Sequence, residues 1–264
     1  MIKHGIAALA ATFARAFLLV IAAGALGQAQ TRPGQNIRAQ VRVVDATRAA
    51  DTVAISYRVV VSPSSAERLM TFTVNGTGTP LIAIAPSPSS AWSVDAEWRG
   101  RVAASWTPLG LVSPGDSTPP LVMRGVGLPG ITTAWVWGDS VPGEQEHERI
   151  QDSLFARDPN VIPDPMDVYA RSLPMIGIDP LPPPSHAAYI ERLGRLSSRA
   201  CLNDWITNAT LCTRLQGLLT AVPARVPEFL TAVETANAAG HMNSLAYWML
   251  KVNGEAARDF LERR

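Results

Sequence analysis

Lysine is almost missing from this chain of 264 residues: Lys3 and Lys251 are the only two, and arginine fills every other basic position. The bias fits a GC-rich bacterial source. With 23 Lys+Arg against 22 Asp+Glu, there is no cationic excess to displace counterions from a phosphate backbone, which argues against DNA or RNA as a partner. Cysteine is scarce too. Cys201 and Cys212 stand alone, their spacing is far from CxxC, and no histidine lies between them, so neither a redox pair nor a zinc site is expected. Beyond residue 29 no apolar run approaches the roughly 20 residues of a membrane-spanning helix. No cofactor and no metal site are read from the sequence.

Residues 1–29 are the exception to this lack of hydrophobic runs. Lys3, His4 and Arg15 give a basic start, an apolar stretch runs from Ala16 to Leu26, and Gly27-Gln28-Ala29 supplies the small-x-small pattern cut by signal peptidase. The run is too short for a retained span, and Arg15 interrupts any longer one. A cleaved signal ending at Ala29 is expected, hence a periplasmic or extracellular protein with no membrane span after cleavage. Its removal takes Lys3 and Arg15 with it and moves the net charge from +1 to −1.

Apolar residues then alternate with polar ones at a period near two, the mark of strands with one wet face. Strands are expected over Ile37 to Val43, Val53 to Val61, Met70 to Val74, Leu81 to Ile84, Ala91 to Trp98, Arg101 to Trp106, Leu121 to Val126 and Ile131 to Trp137. Turn-formers such as Ser113-Pro114-Gly115-Asp116 separate them, and Asn75-Gly76 reads as a tight hairpin turn. Seven or eight short strands without helical pattern between them predict a β-sandwich over residues 30–140. Proline then dominates from Pro142 to Pro184, which predicts an unpaired linker over 141–185. From residue 186 to 264 the period becomes helical. Leu211, Leu215, Leu218, Leu219 and Val222 make one stripe, Phe229, Leu230 and Val233 a second that closes at Gly240, Leu245, Trp248, Met249 and Val252 a third, and Tyr189, Leu193 and Leu196 precede them. The fold class expected is therefore multidomain α and β, an N-terminal all-β sandwich followed by a small all-α helical bundle.

Few residues suggest chemistry. In an oxidising compartment Cys201 and Cys212 should pair, stapling one helix end to the start of the next through a turn at Asn208. Glu144, Glu146, His147 and Glu148 form an acidic knot, but the second histidine of a zinc-protease motif is missing and solvated surface is the expected role. His186 and His241 have no partner identifiable from the sequence. Trp92, Trp98, Trp106, Trp135 and Trp137 crowd the β-region. If they faced outward together they would form a sugar-stacking platform, and if inward a sandwich core.

Two resemblances follow from these residues. Gly138-Asp139-Ser140 at the end of the Ala134 to Trp137 strand resembles the nucleophile block of SGNH hydrolases, which would make Ser140 a nucleophile. The family's Gly-x-Asn-Asp and late Asp-x-x-His are absent: Asn203-Asp204 lacks the glycine, and Asp179 lies seven residues before His186. Ser113-Pro114-Gly115-Asp116-Ser117, Gly125-Val126-Gly127-Leu128-Pro129-Gly130-Ile131 and Ala246-Tyr247-Trp248-Met249-Leu250-Lys251-Val252-Asn253 together resemble uncharacterised exported bacterial proteins with a β-part followed by helices. That resemblance implies a two-part architecture and no activity. The function expected is an exported, non-enzymatic binding or structural module of the cell envelope or extracellular space, whose partner would be an envelope component, a polysaccharide or another exported protein. The alternatives are a glycan-binding module built on the tryptophans and a hydrolase using Ser140.

Overall fold

The structure, a computed structural model, describes residues 34–76, 81–98, 101–140, 169–179, 185–221 and 224–262, with isolated positions between 143 and 183. The expected signal and most of the acidic knot (Glu144, Glu146 and His147) lie outside the described residues, and Glu148 is exposed. Residues from Pro33 onward belong to one compact unit.

Among the described residues nine strands form two antiparallel sheets. β1 (Ala39–Ala49), β2 (Thr52–Val61), β7 (Leu121–Val126) and β4 (Leu81–Ile84) make a four-stranded sheet in the order β1-β2-β7-β4. β5 (Trp92–Trp98), β6 (Arg101–Pro108), β3 (Leu69–Asn75), β8 (Leu128–Gly138) and β9 (Arg171–Asp179) make a five-stranded sheet in the order β5-β6-β3-β8-β9. The period-two pattern puts Val53, Ile55, Tyr57, Val59 and Val61 of β2 on one inward face, all fully buried. Opposite them lie Phe72, Val74, Ala104, Trp106, Ala134 and Val136 of the second sheet. Tyr57 joins the sheets: its ring meets Phe72 at 5.7 Å and Trp106 at 6.1 Å, and its hydroxyl donates to the Ile176 carbonyl at 2.8 Å. Burial drives the Tyr57 phenol well above its ordinary pKa, so it remains a neutral donor.

Asn75-Gly76 does not close a hairpin. β3 pairs with β6 and β8 while β4 pairs with β7 in the other sheet, so the chain crosses between sheets here. Gly76 lies close under the start of β4, where a β-carbon would fall 2.4 Å from Leu81 Cδ1 and 3.1 Å from the Val102 carbonyl oxygen, so a larger residue would need Leu81 to shift.

The expected linker over 141–185 also needs correction, since it contains β9, which pairs with β8 from Leu128↔Asp179 to Val136↔Arg171. Pro174 hid this strand from the periodicity. It is tolerated because β9 is a sheet edge, where one side of the strand has no ladder to donate to. Met175, Ile176 and Ile178 carry β9 into the core.

Among the described residues four helices follow β9: α1 (His186–Leu202), α2 (Ala209–Thr220), α3 (Val226–Ala238) and α4 (Ser244–Glu262). Ser185 caps α1 by accepting the Ala188 amide at 3.2 Å, and Asn208 caps α2 by accepting the Leu211 amide at 3.0 Å. Gly240, with φ +70°, ends the α3 segment in the left-handed conformation expected of it. The helices do not stand apart from the sheets: one hydrophobic cluster runs from Ile37 through Tyr57 and Ile176 to Leu193, Phe229, Met249 and Ala257. α4 packs on β1, β8 and β9, and Ser244 Oγ accepts the β1 amide of Val43 at 3.1 Å.

A buried polar pin fixes that junction. Arg192 of α1, 8% exposed, donates from Nε to Asn253 Oδ1 at 2.7 Å and from Nη2 to the Pro129 and Leu128 carbonyls at 2.9 and 3.4 Å. Its Nη1 lies 2.9 Å from Asp179 Oδ2. Asn253 of α4 donates to the Pro129 carbonyl at 2.8 Å as well. Two helices and two strands thus share one guanidinium.

Candidate functional site

The tryptophans were the first candidates, and the structure splits them. Trp106 is fully buried between the sheets, stacked on Phe72 at 5.7 Å with its Nε1 donating to the Ile84 carbonyl. Trp135 and Trp137 share the opposite face of β8, as their parity requires, yet Trp135 is only 7% exposed and packs with Ala170, while Trp137 is half-buried and stacks on Tyr169. Trp92 is half-buried against the main core, and the Trp98 side chain lies outside the described residues. On the face shared by Trp135 and Trp137, Thr73 and Ser105 bond to each other at 2.9 Å and Thr71 and Thr107 at 3.1 Å. An outward tryptophan row is therefore not formed among the described residues: one indole is core and the pair on the other face is largely enclosed.

The Gly-Asp-Ser turn has a structural explanation for two of its three residues. Gly138 lies against Glu67, a β-carbon there meeting Glu67 Oε2 at 1.9 Å. Asp139 clamps the loop before β3, Oδ1 accepting the Arg68 amide at 2.8 Å and Oδ2 the Arg68 Nε at 2.7 Å. Partial burial pushes the Asp139 carboxyl upward, but the Arg68 hydrogen bonds and charge outweigh it and hold the group below the ordinary carboxylate pKa. Ser140 follows at the half-exposed strand end.

Glu67 itself escaped notice in the sequence because it sits in a loop without periodicity. It is 3% exposed, accepts the Gly34 amide through Oε1 at 3.1 Å, and leaves Oε2 without a hydrogen-bond partner among the described residues. Gly34, Gly138 and the Trp137 indole crowd the carboxylate and its surroundings. Glu67, Gly34 and Gly138 are all buried in this cluster.

An open concavity lies on the helices instead. The disulfide predicted from the cysteine pair is present, Cys201 and Cys212 joined at 2.05 Å with α-carbons 6.3 Å apart, and it ties the end of α1 to the first turn of α2. Beside it a groove of about 490 Å³ runs between the two helices. On α1, Ile190, Gly194, Ser198 and Leu202 recur every fourth residue and form one ridge. Gly194 and Ser198 are small, so this ridge dips into a trough between two larger apolar ends, while Leu219 of α2 supplies the opposite wall. Gln216 braces the walls, donating from Nε2 to the Gly194 carbonyl and to Ser198 Oγ, both at 3.0 Å. Leu202, 79% exposed, stands at one end. Arg195 and Arg199 line the rim; Arg195 pairs with Glu191 one turn back, and no ion pair to Arg199 occurs among the described residues.

No protein-family model matches the sequence, and no curated protein matches it significantly. Among solved structures the chain is similar to an uncharacterized protein from Nocardia farcinica with an immunoglobulin-like fold, at 18% identity and a TM-score of 0.29 over 51% of this chain and 96% of that one.

Of the remaining sequence candidates, His186 sits half-buried in the first turn of α1 with no hydrogen-bond partner for Nε2 among the described residues, and His241 is exposed beside a smaller groove between α2 and α3 that Arg214 also lines. Among the described residues no group of three or more His, Cys, Asp or Glu could hold a metal ion, and no helix is long and apolar enough to cross a membrane. The α1–α2 groove was missed in the sequence. Its signal was Gly194 and Ser198 on an otherwise apolar i, i+4 ridge, a pattern that reads as a weak point in a helix until the second wall is known.

Proposed function

We propose that the chain is an exported, non-enzymatic binding or structural module acting in the bacterial cell envelope or extracellular space. The observation that carries this reading is the α1–α2 groove: an open, apolar concavity whose walls are braced by a disulfide and by Gln216 on a unit with one continuous core. A preorganised concave surface loses little conformational entropy on association, as a binding surface should. The disulfide fits an oxidising compartment. In this reading the helices form a small bundle that presents the groove, and the sandwich is the body that holds it.

Co-sedimentation of the purified oxidised chain with isolated envelope material tests the reading, with ester hydrolysis measured in parallel. Saturable association without turnover is expected. Ester hydrolysis that disappears in Ser140→Ala would replace the binding reading with the hydrolase one, and sedimentation no greater than that of an inert protein of similar size would remove the envelope as the place of action.

A further inference from the structure

Resting on that reading, we infer that the α1–α2 groove docks an amphipathic helical segment of a partner protein, apolar on one face and acidic along its flanks. Shape is the first argument. The low stretch of ridge at Gly194 and Ser198, floored by the Gln216 side chain that bonds to both, leaves a shallow groove between Ile190 and Leu202 along which a third helix can lie, since ridges of small residues let helices approach closely. An apolar side chain seated there would meet Leu219 and cover Leu202, which otherwise stays in water.

Charge is the second argument and selects the occupant. The helical region is electrically divided. Residues 186–225 carry Arg192, Arg195, Arg199, Arg214 and Arg225 against only Glu191 and Asp204, whereas residues 226–262 carry Glu228, Glu234, Glu255, Asp259 and Glu262 against Lys251 and Arg258. Arg192 is consumed by its pin to Asp179, so the basic excess beside the groove resides in exposed arginines. Acidic flanks would meet Arg199, while Arg195 is engaged by Glu191 on the same rim; the two arginines against that one glutamate leave the rim net basic, which disfavours a basic helix. The Cys201–Cys212 bond lies at one end of both walls, so the groove's width there is fixed before the partner arrives.

Gly194 makes the test clean. A β-carbon there would lie 3.8 Å from Gln216 Oε1, ordinary van der Waals contact, so the methyl of Gly194→Ala fits, while the ring of Gly194→Phe must extend into the groove beside Gln216. The probe is a fluorescently labelled, end-blocked helical peptide with leucines at i, i+4 and i+7 and glutamates flanking them, read by anisotropy on the full oxidised chain. A second peptide carries lysine at each glutamate position. The expected result is binding of the glutamate peptide only, weakened by added salt, and weakened at least tenfold by Gly194→Phe and by Arg199→Glu while the Tm of both variants stays near that of the parent. Gly194→Ala serves as the control for folding and should melt no lower than the parent. Equal binding of the two peptides, absence of binding, or binding unmoved by Gly194→Phe would overturn the assignment. If envelope association persists in Gly194→Phe, the groove alone is refuted and the binding-module reading stands; if the parent fails to associate as well, that reading fails with it.

Discussion

Replacing Arg192 should unfold sheets and helices together, not detach the helices. In Arg192→Ala the Asn253 Oδ1 and the Leu128 carbonyl lose their donor, while the Pro129 carbonyl keeps the bond from Asn253 Nδ2. Asp179 loses its cation, but its side chain is 36% exposed and water recovers much of that loss. Breaking a fully buried pair costs about 3–5 kcal/mol; with the Asp179 share discounted and the buried methylenes of arginine lost, about 3 kcal/mol is expected. The double replacement Arg192→Met with Asn253→Leu should recover none of the loss, because it also takes the Asn253 donor from the Pro129 carbonyl, a backbone acceptor that no substitution removes. Urea unfolding followed by hydrogen exchange at β7 and α3 amides reads the two regions separately. Both should lose protection at the same, lowered midpoint. A cost under about 1 kcal/mol, or helical amides opening well before strand amides, would refute the pin as the device that couples them.

Three further outcomes follow from local geometry. Cys201→Ser with Cys212→Ser should lower stability by about 3 kcal/mol or less, the entropy of closing so short a loop, and an unchanged urea midpoint would show the bond to be redundant. Gly138→Ala places a methyl 1.9 Å from Glu67 Oε2 and should cost about 2 kcal/mol or more, whereas Gly110→Ala, with nothing within 4 Å, should shift stability by no more than about 0.5 kcal/mol; similar effects at both would contradict the described packing. Because the folded Asp139 carboxyl is held below its unfolded value of about 3.9, its contribution is present above that pH and is lost as pH falls through the lower folded value. Asp139→Asn should therefore flatten the acid limb of the stability curve, and a parent and variant with parallel acid limbs would exclude the Arg68 clamp as its source.

The elements that sequence reasoning recovers are those whose own side chains report their surroundings. β2 alternates strictly because one face meets the opposing sheet, and α2 shows its stripe because Leu211, Leu215 and Leu219 meet the core. Legibility fails where the partner is distant in sequence. β9 reads as linker because its proline is harmless only at an edge, and edge status is a property of the assembled sheet. Trp106 and Trp135 look equivalent as indoles near a strand end, yet pleat and register send one into the core and the other to the opposite face. Arg192 looks like an ordinary surface arginine on an amphipathic helix until Asp179 and Pro129 arrive beneath it. Asn75-Gly76 carries a hairpin's residues without a hairpin because the following strand joins the other sheet.

The docking of α4 along β1 has a consequence for solubility. An open sandwich of two sheets has four boundary strands, each offering unpaired amides and carbonyls to any other chain in an extended state. Here β1 has helix α4 beside it, with the Val43 amide taken by Ser244, and β9 lies under the same helix. β4 is only four residues long, too short a template to recruit much, and β5, the fourth boundary strand, lies beside β4 and outside this helical shield. A chain cut before His186 would lose this shield together with the apolar residues that β1, β8 and β9 bury against it. Such a fragment would recruit extended strands and assemble with itself, so the helices act toward the sheets as a built-in chaperone that never leaves.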